Sequence, residues 1–164
     1  MLESKVFIYD NRIVFDRIMN QLVREVAVDI GYWAGAKKHP TEGVDMALVA
    51  IMNEYGTKLI PERSFMRNSI KENIDKINKY IEKLVDKIIL GVLTWDIAIK
   101  RLAAYGMNIV KKKINDSRSW AVPLSDSTKK RKGSDQPLVD TGFLRRNIGW
   151  RKIRNKNKYR KGKF

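Results

Sequence analysis

Few residues in this chain combine the type and the spacing that covalent or acid–base chemistry needs. The sharpest candidate is Leu138-Val139-Asp140-Thr141-Gly142. An Asp-Thr-Gly behind apolar residues is the aspartic-protease signature, in which two such aspartates share one proton across a dimer or two lobes. A single copy would need a homodimer, and the 22 residues that follow, ten of them basic, leave out the β-rich remainder of a protease lobe. The tripeptide also reads as a capped turn, with Asp140 or Thr141 accepting from backbone N–H groups ahead of Phe143 and Leu144. His39 is the only histidine and sits in a Lys-Lys-His-Pro loop, where it reads as a solvated residue. The serines beside Asp126 therefore have no imidazole base, which excludes a Ser-His-Asp triad. Gly31, Gly35 and Gly43 lack phosphate-loop spacing, and no Gly-Lys-Ser/Thr follows a strand. Glu54 and Glu62 stand eight residues apart across a turn, a spacing that does not argue for pairing. With no cysteine there is no disulfide, thiolate zinc site or cysteine nucleophile. The reading is of a non-enzyme, with no catalytic, cofactor-binding or metal residues.

Charge is more informative. The 164 residues carry +16, unevenly spread: residues 1–99 hold 14 Lys+Arg against 14 Asp+Glu, and residues 100–164 hold 20 against 4. Arg145 to Phe164 contains ten basic side chains and no acidic one. A neutral body with a basic C-terminal part suggests contact with nucleic acid or with an acidic protein surface, or else a solvated tail. The candidate contacts are Lys129, Lys130, Arg131, Lys132, Arg151, Lys152 and Arg154. Only Trp150 and Tyr159 are interleaved among the basic runs, which favours phosphates or an acidic groove over base stacking. No helix-turn-helix or zinc-finger pattern is present to read a base sequence. Met1 to Asp10 lacks the apolar core of a signal peptide, and no run approaches the ~20 apolar residues of a membrane span, so a soluble protein is expected.

The elements that must position these residues follow from periodicity. Lys5 to Tyr9 reads as a short extended run. Phe15, Ile18, Leu22 and Val23 then mark a first helix from Asn11 to about Arg24. Val26, Val28 and Ile30 alternate and run into Tyr32 and Trp33, predicting a strand of ~8 residues. Residues 34–43 form a loop, and helical spacing resumes over Val44 to Tyr55 with Gly56 as C-cap. A long amphipathic helix starts near Ser64, its apolar face being Ile70, Ile74, Ile77, Ile81, Leu84, Val85 and Ile88. Gly91 interrupts it, Thr94 caps the next helix, which reaches about Ile114, and the short connector predicts an antiparallel pair. Residues 115–140 read as an irregular arm, Thr141 to Arg146 as one helical turn, and Ile148 to Ile153 as a last strand. The expected fold is α+β: a small sheet of few strands packed against a long antiparallel helix pair. It comprises a body over residues 1–114 and an irregular basic C-terminal arm with the final strand over 115–164, within one domain.

Two stretches resemble a known family. Asn53-Glu54-Tyr55-Gly56-Thr57 with Ile60-Pro61-Glu62-Arg63-Ser64-Phe65-Met66-Arg67 is similar to the N-E-F/Y-G-T … I-P-x-R-x-F-L/M-R signature of tailed-bacteriophage neck and tail-completion proteins, also called virion-morphogenesis or tail-component proteins. Pro123-Leu124-Ser125-Asp126-Ser127-Thr128, Lys132-Gly133-Ser134-Asp135 and Pro137 to Arg145 resemble the second half of that pattern, so the likeness covers residues 44–150. The residues after Arg151 fall outside it. The resemblance implies a structural subunit of the virion, made in the host cytoplasm, that forms a homo-oligomeric ring joining head to tail around the DNA channel. Its neighbours would be connector, terminator or tail-tube proteins, with DNA in the channel a further contact and no membrane. It implies Glu54, Tyr55, Arg63, Phe65, Arg67 and Arg145 as subunit-interface residues, with Gly56, Pro61, Asp140, Thr141 and Gly142 as structural turns; the alternative is that the 53–67 connector packs only against its own subunit. The alternative from a different class is a sequence-nonspecific DNA-binding protein acting through the basic arm.

Overall fold

The structure, a computed structural model, describes residues 27–38 and 43–153. The described chain begins in strand β1, Ala27–Gly31. Helix α1, Met46–Tyr55, starts at Asp45, whose carboxylate accepts the Ala47 N–H at 2.8 Å and also the N–H of Gly35. One side chain thus satisfies a free donor of the first helical turn and ties the preceding loop to it. Helix α2, Phe65–Ile89, and helix α3, Trp95–Asn115, make the long pair, with Thr94 Oγ1 accepting from Ile97 N–H at the start of α3. Short helices α4, Ser117–Trp120, α5, Asp126–Lys132, and α6, Phe143–Arg146, lead to strand β2, Gly149–Ile153.

The fold is α+β, mostly helical, with a two-stranded antiparallel sheet against the helix pair. Helices α2 and α3 run antiparallel. Lys113 bridges to Glu72 at 2.6 Å near one end, Tyr80 stacks on Tyr105 at 4.4 Å in the middle, and Leu84, Ile88, Leu93 and Ala98 cluster at the other end. In the sheet Ile30 lies opposite Trp150 and Ala27 opposite Ile153. β1 can lie close on α3 because Gly106 has no side chain: a Cβ there would stand 2.4 Å from Ile30 Cδ1. The main core gathers Met46, Ala50, Phe65, Val110, Ile114, Leu144 and Ile148 from α1, α2, α3, α6 and the approach to β2. Tyr32 meets the Phe65 ring edge-on at 6.4 Å and donates its hydroxyl to the Leu144 carbonyl at 2.8 Å.

Three expectations need correction. β1 stops at Gly31, not Trp33, because Tyr32 turns into the core and the Trp33 ring fills the space above Gly149. Residues 115–140 are folded rather than irregular. The buried Ser117 hydroxyl donates to the Pro137 carbonyl, Trp120 Nε1 donates to Lys113 O at 2.8 Å, and Pro137 itself is fully buried. The isoleucine face of α2 is buried only in part. Leu84 and Ile88 pack against α3, whereas Ile70, Ile74 and Ile81 stand exposed, because α2 meets α3 along Tyr80, Leu84 and Ile88 instead. The expected Lys5–Tyr9 run, the 11–24 helix, His39 and the residues from Arg154 onward lie outside the described residues. Among the described residues no helix is long and apolar enough to cross a membrane.

Candidate functional site

The α1–α2 connector is held by one buried carboxylate. Glu54, in the last turn of α1, accepts the N–H groups of Met66 and Arg67 at 2.9 Å each, and Arg67 Nε at 3.1 Å. It thereby caps α2, where free N–H groups and the helix dipole favour negative charge. Ser64 occupies the N-cap position without capping, since its hydroxyl donates to the Glu62 carboxylate. That same hydrogen bond, together with Arg67, holds the Glu62 carboxyl below its ordinary range. Arg67 Nη2 reaches the Glu54 carbonyl at 2.9 Å and Glu62 at 2.7 Å, and its guanidinium lies 4.4 Å over the Tyr55 ring. Between them Thr57 N–H donates to Ile60 O at 2.7 Å, and Thr57 Oγ1 accepts from Leu59 and Ile60. Gly56 has φ 73°, and a Cβ on it would stand 2.9 Å from Glu62 N and 3.0 Å from Ile60 O, so only glycine closes this turn.

Arg63 links the two regions that the sequence reading sets apart. Its N–H donates to Asn53 O at 2.7 Å, and its Nε donates to Val122 O at 3.0 Å. Among the described residues it has no carboxylate partner, and burial pushes its guanidinium below its usual pKa. Glu54 and Arg63 are 5% exposed and Phe65 is 0% exposed. The expectation that these three are interface anchors is therefore corrected. The two charged groups satisfy backbone N–H and C=O groups that would otherwise be buried without partners, and Phe65 fills the core. Of the other expected interface residues, Tyr55 and Arg67 reach the surface, and half-buried Arg145 donates to Asn115 Oδ1 at 2.7 Å. Asp140 and Thr141 are exposed, and neither caps α6; Gly142, at φ 74°, takes the N-cap position with no side-chain bond. The capping expectation is corrected on that ground.

Where these parts meet there is a cleft of about 590 Å³. α1 contributes Val49 and Met52, the connector Leu59, Ile60, Pro61 and Arg63, α5 Arg131 and Lys132, and the following turn and α6 Leu138 and Phe143. Lys132 Nζ donates to Gln136 O at 3.1 Å and Val139 O at 2.8 Å. Burial pushes the Lys132 ammonium down; Asp140 opposes this, and Arg63 and Arg131 add to it. Three cations thus share one wall with a single nearby carboxylate. Leu138 lines the cleft at φ 60°, with Val139 N–H donating back to Pro137 O at 2.7 Å, a γ-turn that an L-residue adopts only under strain. The wall hydroxyls of Ser125, Thr128 and Thr141 have no imidazole beside them among the described residues. The cleft can hold apolar groups and neutralise an anion.

The remaining basic candidates are less available than their sequence suggests. Lys129 pairs with Asp126 at 3.1 Å, Arg151 with Asp29 at 3.0 Å and Lys152 with Asp96 at 2.9 Å. Lys130 and Arg131 have no carboxylate partner among the described residues, and Arg154 lies outside them. Among the described residues no group of three or more His, Asp or Glu could hold a metal ion. Sequence reasoning missed the double duty of Asp45 and the capping by Glu54. A carboxylate one residue before a helix boundary was the available signal for Asp45. Glu54 gave none, because its partners lie 12 and 13 residues away. No protein-family model, curated protein or solved structure matches this chain.

Proposed function

We propose that this chain is a structural subunit of a tailed-phage virion, a ring-forming neck or tail-completion protein that links head and tail around the DNA channel. One observation carries the reading. The two motif blocks that resemble that family, separated by about sixty residues, form a single unit: Arg63 of the first block donates to the Val122 and Pro123 carbonyls where the second begins. Ile60 and Pro61 of the first block also share a cleft with Leu138 and Phe143 of the second. Assembly is further supported by large aliphatic side chains left on the surface of α1, α2 and the α2–α3 turn.

The test is immunogold labelling of purified virions with antibody to the chain, alongside a phage in which its gene is interrupted. Label confined to the head–tail junction, with unjoined heads and tails in the mutant, is expected. Normal joining in the mutant overturns the reading. Sequence-nonspecific DNA binding through the basic residues is the second reading, favoured by Lys130 and Arg131, which lack acidic partners among the described residues. It requires tight binding by the free protein that weakens on the order of a thousandfold between 50 and 200 mM salt, as six or more phosphate contacts would dictate.

A further inference from the structure

Among the described residues several apolar side chains stand exposed on α1 and α2, and two further features lie at opposite ends of α2. The first is the α2–α3 tip, where Leu90 is 74% and Val92 67% exposed, with Ile89 beside them. Glu82, Asp86 and Leu90 follow one another at four-residue steps and share one face, so two carboxylates line up behind the apolar tip. Lys83 and Lys87 occupy the adjoining face. Neither Glu82 nor Asp86 forms an ion pair among the described residues. The second feature is the cleft, with apolar walls from Val49, Met52, Leu59 and Phe143 and the cations Arg63, Arg131 and Lys132. Arg63 brings to it a buried guanidinium that donates to backbone carbonyls and has no carboxylate partner among the described residues.

The apolar tip and its carboxylate face complement the apolar and cationic walls of the cleft, yet one chain cannot join them. The 25 residues of α2 hold them roughly 37 Å apart at ~1.5 Å per residue. We propose that the α2–α3 tip of one copy docks into the cleft of the next. Leu90 and Val92 enter between the apolar walls, and Asp86 meets Arg131 at the rim. This inference rests on the ring reading above. Because the two surfaces differ, the contact is heterologous: each copy gives a tip and receives one, and the repeat closes into a ring when the rotation permits.

The absence of cysteine makes the test clean. Full-length Leu90→Cys and Thr141→Cys proteins would be mixed under mild oxidation, both positions being exposed and each variant checked for unchanged circular dichroism. A disulfide-linked Leu90–Thr141 dimer in excess of the statistical mixture is expected, with Ser119→Cys in place of Thr141→Cys giving none above it. Placing both cysteines in one chain should yield a ladder of higher oligomers. Asp86→Arg should lower the yield several-fold, and Arg131→Glu on the receiving copy should restore it. A statistical mixture, or no cross-link at millimolar protein, overturns the docking. A labelled virion ring without this bridge removes the docking and leaves the virion assignment. The bridge formed by a protein absent from virions does the reverse.

Discussion

The two connectors that frame α2 are built on opposite terms. Between α1 and α2, Glu54, Arg63 and Phe65 turn inward, Glu54, Arg63 and Arg67 bond backbone groups 12 or more residues away, and Thr57 ties the turn locally through Leu59 and Ile60 N–H. Between α2 and α3 the chain reverses on main-chain bonds alone: Leu90 N–H to Asp86 O, Gly91 N–H to Ile88 O and Val92 N–H to Lys87 O. Only Leu93 packs inward there, while Leu90 and Val92 point out. The first connector is distinctive in sequence because its geometry admits few residues. The second is unremarkable in sequence because one glycine suffices for the reversal, which leaves its side chains free to serve as surface. At Glu54, Gly56, Arg63 and Phe65 distinctiveness marks internal constraint, while Tyr55 and Leu59 of the same connector stay exposed.

Substitutions in the first connector should therefore act on folding. Phe65→Ala has the largest expected effect, about 3–5 kcal/mol of stability lost, because a fully buried ring leaves a cavity among Met46, Val110 and Leu144. Urea denaturation of the purified protein reads it, as a lower midpoint at unchanged slope. A loss below about 1 kcal/mol would mean that the ring does not sit in the core and that the interface role first expected for Phe65 deserves reinstatement.

Gly56→Ala comes next. It meets both the positive φ and a Cβ contact with backbone at 2.9 Å, whereas Gly91→Ala meets a positive φ of 71° and open space. The left-handed penalty alone is roughly 1–2 kcal/mol, and Gly56, at ψ 175°, lies outside that well in a region essentially reserved for glycine. Gly56→Ala should exceed that range and Gly91→Ala should stay within it. Equal losses at the two glycines would show that the connectors do not differ in tightness.

How much of this was legible beforehand depends on the range of the interaction. Helix starts at Thr94 and near Ser64, the stop at Gly56 and the long antiparallel pair follow from spacing and capping within a few residues, and the structure has them. Of the short helices, Asp126–Lys132 carried local signals that sequence reasoning missed, Ser125 accepting from Thr128 N–H and Gly133 at φ 64°, whereas Ser117–Trp120 depends on remote partners: Ser117 reaches Pro137, and Arg63 holds the Val122 carbonyl just beyond it. Periodicity also gave the apolar face of α2 correctly as a pattern but not its covering, since an exposed and a buried isoleucine look the same in sequence. The candidate interface failed at Glu54, Arg63 and Phe65 for the converse reason. A charged or aromatic residue in a loop reads as exposed until its buried backbone partners are known.

Tyr32 offers a smaller and pH-dependent probe of how the folded core grips its edges. Burial first, and the nearby Glu54 charge second, push the phenol well above its ordinary value of 10. Below pH 10 folded and unfolded chains both keep the proton, and the effect is silent. Above it the unfolded chain ionises while the folded chain does not, so stability falls as pH rises, by up to about 1.4 kcal/mol per pH unit. Denaturation midpoints measured between pH 9 and 11.5 should decline for the parent protein. The decline should be shallower in Tyr32→Phe, which in turn loses the hydroxyl bond to Leu144 O at neutral pH. Parallel declines would place the tyrosine in solvent.

The smallest expected effect on folding belongs to the second connector, and it sharpens the comparison most. Leu90→Ser removes an exposed side chain, so stability should move by no more than about 0.5 kcal/mol. On the virion role proposed above, it should nonetheless fail to support head–tail joining when supplied to a phage lacking the gene. Tyr55→Ser, on the exposed face of α1 beside the tight connector, should cost more stability because the ring covers the Arg67 guanidinium. It should nevertheless join heads to tails better than Leu90→Ser. The two variants thus dissociate the readouts: one nearly silent in denaturation and defective in assembly, the other the reverse. If Leu90→Ser assembles normally while Tyr55→Ser does not, the working surface lies at the connector that the sequence advertises, and the division of labour drawn between the two is wrong.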